Sequence, residues 1–175
     1  MTRGLKGTSQ FAVMAEALPV QARICLAIFA ADVAFQYLQP SPDIHLARKA
    51  LTYAISWHQG KRVDLRKWEL ELEGTVEDGM SFAILRAKKR SKKEFHAWLV
   101  FRNAIDYVAY RAFLAENRPT NSSLENIGDR ILDDVDKDLR AFDPSSMSLM
   151  TRAAKYLEEH PDAGLSELNA HVSKE

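Results

Sequence analysis

Four carboxylates, Glu125, Asp129, Asp133 and Asp136, recur at spacings of four, four and three. On a helix turning about 100° per residue, that spacing strings them along one ridge. Such a row can imitate the regular charges of a nucleic-acid backbone and so occupy a basic cleft on a partner protein. Turned toward a core instead, helix-borne carboxylates can hold a divalent ion, as they do in some bundles. Leu124, Ile131, Val135, Leu139 and Phe142 gather on another side of the same helix, so the ridge is expected to face outward. No His joins it, which weighs against a metal, because bundle sites recruit both residue types inward. A solvated face whose acids favour the helix N-terminus explains the same pattern without any function, and Glu125 also has a capping role.

Two further groups could contact a partner. Tyr107 and Tyr110 lie on an aromatic-rich helix whose two sides, Trp98, Phe101, Ile105, Val108 and Ala112 on one and Phe95, Leu99 and Phe113 on the other, read as core. The alternative makes the two tyrosines exposed anchors of the kind enriched at interfaces. Arg86, Lys88, Lys89, Arg90, Lys92 and Lys93 form a short basic run, with no aromatic residue within it to stack on bases. That run is either a solvated loop or a nucleic-acid contact. Arg102 and Asp106, four apart, are placed to form a surface pair. Catalytic signatures are missing: no phosphate-binding glycine loop, no paired metal-ligand cysteines, no nucleophile elbow. The five histidines, at 45, 58, 96, 160 and 171, show no ligand spacing, and no catalytic residue, metal ligand or cofactor is expected.

Composition sets the frame for these groups. A chain of 175 residues, 46% hydrophobic and 27% charged, is long enough to bury a core without disulfides. The formal charge is zero but uneven: residues 61–118 hold 13 Lys/Arg against 9 Asp/Glu, and residues 119–175 hold 6 against 12. A neutral total lacks the broad basic footprint of a general nucleic-acid binder, while the asymmetry leaves local steering open. Cys25 is the only cysteine and lies in an apolar run, so it reads as a small buried hydrophobe. The apolar segment from Ile24 to Ala31 is shorter than the roughly 20 residues of a membrane span, and the N-terminus lacks the order of a secretory signal. A cytoplasmic location without membrane contact is expected.

The elements that must position these groups are helices. After a lead over 1–8, a short helix is expected over 9–18 and a wide-faced, central one from Pro19 to Leu38. A third runs from Pro42 or Asp43 to His58, closed by Gly60. Residues 61–90 fit a helix or an exposed hairpin, and their Leu, Arg, Lys and Glu content favours helix, with a shorter one over 81–89. Ser91 with Glu94, and Ser122 with Glu125, fit the capping box and open helices over 91–116 and 122–142. The first of these, about 39 Å long at 1.5 Å per residue, would be the central long helix. Asp143 and Pro144 then open a helix to Glu159, and a last one spans 164–172 before a tail at 173–175. The fold class is all-α, one domain over 9–172 with seven or eight helices.

The pattern from about Leu18 to Phe142 resembles a family of mostly all-α immunity proteins of bacterial polymorphic toxin systems. The likeness is carried by the apolar helix around Arg23 to Leu26, and by Ala97-Trp98 leading into Ala104-Ile105-Asp106-Tyr107. Tyr110, and Pro119 followed by Leu124-Glu125-Asn126-Ile127, complete it. The resemblance implies a protein that binds a cognate protein toxin, often a nuclease, and blocks it by steric and electrostatic occlusion without catalysis. The zero net charge departs from the acidic balance common in nuclease inhibitors. The expected partner surface is Glu125, Asp129, Asp133 and Asp136 with Tyr107 and Tyr110. The alternatives are a helical carboxylate-metal enzyme, or an adaptor touching nucleic acid through residues 86–93.

Overall fold

The computed structural model describes residues 10–73, 79–120, 124, 127 and 131–173. Nine helices, and no strand, occur among the described residues. They are α1 (Gln10–Ala17), α2 (Val20–Tyr37), α3 (Ile44–His58), α4 (Leu65–Glu73), α5 (Met80–Arg90), α6 (Lys92–Ala115), α7 (Ile131–Phe142), α8 (Ser146–Glu159) and α9 (Leu165–Val172). The all-α expectation holds. The segment open to hairpin or helix resolves into the favoured helices, α4 and α5, and the helices among the described residues number nine against the seven or eight expected. The lead at 1–8 and most of the expected tail lie outside the described residues.

α6 is the axis of the bundle. It packs most extensively on α2 and α7, then on α5, and also meets α3 and α4; α8 forms a second layer with α1, α2, α7 and α9. Contact on several sides explains why α6 is apolar around most of its circumference: Trp98, Phe101, Ile105, Tyr107 and Val108 are all fully buried. Each such side chain contributes about 1.5–3 kcal/mol by leaving water. α2 is long and apolar enough to cross a membrane by length and composition, and here more than half of it is buried as a core helix. Cys25 lies within α2, its thiol pushed up to about 11 by burial and, secondarily, by the charge of Glu167.

Helix ends follow local sequence chemistry. After α3, Gly60 adopts φ of 76°, and Lys61 N–H donates to the Ser56 carbonyl at 3.0 Å while Gly60 N–H donates to that of Trp57 at 2.9 Å. This is a Schellman closure, built around a residue without a Cβ. Asn117, at φ 51°, closes α6 the same way, with Arg118 N–H bonded to Phe113 at 3.0 Å. At the start of α6 the Ser91 hydroxyl accepts from Glu94 N–H at 3.4 Å. Only half of the expected box forms there, because the Glu94 carboxylate is engaged by Arg90 and Ser41 instead. The second box, at Ser122, lies outside the described residues. Asp143 accepts from the Ser145 backbone N–H and from the hydroxyls of Ser145 and Ser146, so α8 starts just beyond the expected position.

Candidate functional site

The described part of the acidic ridge is not a free row of charge. Asp136 is only 6% exposed and pairs with Arg140, whose Nε lies 3.1 Å from the carboxylate. Asp133 is half-buried, and Glu125 and Asp129 lie outside the described residues. The correction has a physical cause. The buried stripe of α7 runs through Leu132, Val135, Leu139 and Phe142, and Asp136 falls inside it by the i, i+3, i+4, i+7 rule. Starting the stripe at Ile131, which is half-buried, turned the helix slightly too far. Asp138 is also buried, and its carboxylate meets His96 Nδ1 of α6 at 2.9 Å.

Tyr107 is likewise corrected from possible anchor to core: it is fully buried, with its hydroxyl accepting from Arg111 Nε at 3.2 Å. Tyr110 is half-buried, and the Arg111 guanidinium lies over both rings, 5.3 and 5.7 Å from their centroids. The Arg102–Asp106 pair forms, but inside the protein. Arg102 donates to Asp106 at 2.6 Å and to the Leu72 carbonyl at 2.6 Å, tying the end of α4 to α6. Burial raises the Asp106 carboxyl above its ordinary value against the opposing pull of Arg102.

A continuous exposed feature is the elbow between α5 and α6, where residues 88–93 are all exposed. Arg86, just before it, and Arg90 within it are internal struts. Arg86 binds Asp43 through Nε at 3.2 Å and Nη2 at 2.7 Å; Arg90 donates to Glu94 at 3.1 Å and reaches Asp43 at 3.4 Å. Ser41 donates to Glu94 at 2.9 Å, fixing the α2–α3 connection to the same network. Burial pushes the Asp43 carboxyl up, but the Arg86 hydrogen bonds and both guanidinium charges outweigh it and hold it below the usual range. The Arg90 hydrogen bond lowers Glu94 in the same way. A cavity of about 380 Å³ opens beside these struts, walled by Tyr37, Pro40, Pro42 and Ser91.

Lys88, Lys89, Lys92 and Lys93 have no carboxylate within ion-pair distance among the described residues. Lys92 and Lys93 also stand in the first turn of α6, where a cation opposes the helix dipole. Beside them the outward face of α5 carries Phe82, 36% exposed, and Leu85, 54% exposed. At about 100° per residue, Phe82, Leu85 and Lys89 fall within about 60° of one another, opposite the buried Met80, Ala83 and Ala87. The basic run was legible in the sequence; the apolar pair was not singled out, although both residues interrupt the polar side of α5. Among the described residues no group of three or more His, Cys, Asp or Glu is placed to hold a metal ion.

Comparison with protein-family models, curated proteins and solved structures returned no match. The chemistry of this surface therefore stands on its own residues.

Proposed function

We propose that this chain is a non-catalytic binding protein of the immunity type, which neutralises a cognate protein toxin by covering part of its surface. The observation that supports this reading is the α5–α6 elbow: two exposed apolar side chains beside four lysines that form no ion pair among the described residues. Apolar anchors hold a complex together, and surrounding charge speeds encounter and selects the partner. The struts from Asp43 and Glu94 make the elbow rigid, so little ordering is lost on binding. The complement of this surface is an acidic face with an apolar hollow, rather than the basic cleft of a nuclease. The acids of α7 contribute less than their sequence suggests, since Asp136 is spent on Arg140.

The test is growth rescue. A toxin domain encoded beside this chain arrests cells when expressed alone, and the chain expressed with it restores growth. Leu85→Asp combined with Lys89→Glu abolishes rescue while leaving the circular dichroism and melting temperature unchanged, because both side chains are exposed. A wild-type chain that neither rescues growth nor binds the purified toxin domain refutes the immunity reading. The unpaired lysines also favour a second reading, nucleic-acid contact through residues 86–93. A gel shift at low salt that the same double variant abolishes would establish it in place of the first.

A further inference from the structure

The cavity of about 380 Å³ beside the α5–α6 elbow is walled by Tyr37, Leu38, Pro40 and Pro42 from the end of α2 and its connection to α3, and by Arg90, Ser91 and Glu94 from the elbow itself. Tyr37, Pro40 and Pro42 are exposed, so its mouth opens to solvent. The charge in its wall is balanced: Arg90 donates to Glu94 at 3.1 Å, and the adjoining Asp43 pairs with Arg86 at 2.7 Å. A charged side chain entering the cavity therefore meets no uncompensated opposite charge, while an apolar one meets a ring and two prolines. The wall is also fixed before anything binds. Ser41 donates to Glu94 at 2.9 Å, and the Tyr37 ring packs on Phe142 of α7 with centroids 5.3 Å apart. A pocket held in this way loses little freedom when it is filled.

Lysines border this neutral hollow. Lys89 precedes Arg90, Lys92 follows Ser91 and Lys93 precedes Glu94, so each exposed cation adjoins a residue of the wall, about 3.8 Å away at Cα. None of the three forms an ion pair among the described residues. Lys93 acts at longer range on Asp143, whose carboxylate is already bound by the hydroxyls of Ser145 and Ser146. An uncharged centre with a cationic border fits a chain segment of the inverse pattern, one large apolar side chain between carboxylates. We propose that this cavity is the anchor pocket for an acidic segment of a partner protein: one aromatic side chain enters beside Tyr37 and the two prolines, and its flanking carboxylates meet Lys89, Lys92 and Lys93. Of the residue types that dominate interfaces, tryptophan, tyrosine and arginine, the cationic border excludes arginine. The volume sits at the small end of the range for ligand sites, about 300–1,000 Å³, which suits one side chain and not the face of a helix. The inference rests on the reading of the elbow as a protein-binding surface, and adds to it the pocket, the anchor and the sign of the partner's charge.

The probe is a short capped peptide with a central tryptophan and glutamates on both sides, titrated into the full chain and followed by fluorescence and backbone amide NMR. It binds, moves the amide signals of Tyr37, Ser91 and Glu94, and loses affinity as salt is added. The same peptide with alanine at its centre, and a third with lysines in place of the glutamates, bind about tenfold or more weakly. Pro40→Glu sets a carboxylate at the mouth of the cavity, and Lys92→Glu reverses the border. Both positions are exposed, both variants keep the parent circular dichroism, and each weakens binding of the acidic peptide about tenfold or more. No binding at about 1 mM peptide, equal affinity for the alanine-centred or lysine peptide, or unchanged affinity in the two variants overturns the proposal. So do amide shifts that appear on concentrating the chain alone, which assign the pocket to a second copy, and displacement of the peptide by a single-stranded oligonucleotide at lower concentration, which assigns it to nucleic acid. Growth rescue separates the pocket from the immunity reading. A parent chain that fails to rescue but binds the acidic peptide keeps the pocket and removes the toxin, whereas a Pro40→Glu chain that rescues in full keeps the toxin and removes the pocket.

Discussion

Replacing Arg102 by Met isolates the most consequential charge in the core. Asp106 is 8% exposed, its Oδ1 has no hydrogen-bond partner, and its other oxygen depends on Arg102 at 2.6 Å. Removing the arginine strands a buried carboxylate and deprives the Leu72 carbonyl of its donor. Breaking such a buried pair costs about 3–5 kcal/mol. With an unfolding entropy of about 2.1 cal/mol/K per residue, a chain of 175 residues loses about 8–14 °C of melting temperature. The pH dependence has a definite sign. The folded carboxyl of Asp106 is raised by burial, so its neutral form is favoured; the associated stability is complete below the unfolded value of about 3.9 and is lost as pH rises through the folded value. Without Arg102 that rise is larger, so Arg102→Met loses less at pH 4 than at pH 7. Adding Asp106→Leu restores most of the loss, because an apolar pair of similar volume replaces the ions. Calorimetric melting of the two variants at both pH values is the assay. A single variant melting within about 2 °C of the parent chain at pH 7, or one whose deficit ignores pH, refutes the account of Asp106 as a buried, arginine-dependent charge.

Gly60→Ala places a Cβ on a residue at φ 76° with no atom of the chain within 4 Å to clash, so its effect is conformational alone. About 1 kcal/mol, or about 3 °C of melting temperature, is expected, and an unchanged melting point refutes the Schellman assignment. Asp143, held low by the Ser145 and Ser146 hydrogen bonds, joins Asp43 and Glu94 as carboxyls lowered in the folded state. Their contribution is present above the unfolded values of about 4 and disappears as pH falls through the folded ones. Melting temperature therefore drops from about pH 4 downward, and Ser145→Ala with Ser146→Ala makes that drop shallower; a curve of the same steepness in the double variant counts against the role of Asp143.

Much of the architecture was written in local signals. Ser91, Gly60 and Asn117 punctuate the helices where the chain ends or starts them, and the apolar faces of α2 and α6 announce two helices packed on several sides. Charge is not a mark of the surface in this bundle. Asp136 and Asp106 are buried because each has a cation one helical turn away, Arg140 and Arg102, that neutralises it within its own helix. The i, i+4 spacing is visible in the sequence for both pairs; the sequence reading places Arg102–Asp106 at the surface and Asp136 on an outward ridge without its Arg140 partner. The His96–Asp138 contact spans 42 residues between α6 and α7, and no local pattern could have revealed it.

The same rule, applied in the opposite direction, picks out the elbow. Arg90 has Glu94 four residues on and becomes a strut, whereas Lys88, Lys89, Lys92 and Lys93 have no acid three or four residues away in either direction. No acid of their own helices can absorb them; Lys88 lies over the Phe95 ring at 5.8 Å, Lys93 acts on the Asp143 carboxylate at longer range, and none of the four forms an ion pair among the described residues. A helix start tolerates cations poorly, so keeping Lys92 and Lys93 there costs stability that the α6 core, through Trp98 and Phe101, is large enough to offset. Charge retained against the local electrostatics in this way supports the proposed role of the elbow as a partner surface. For that reason the elbow, and not the acidic row on α7, is the surface whose reversal of sign should abolish partner binding while the bundle melts unchanged.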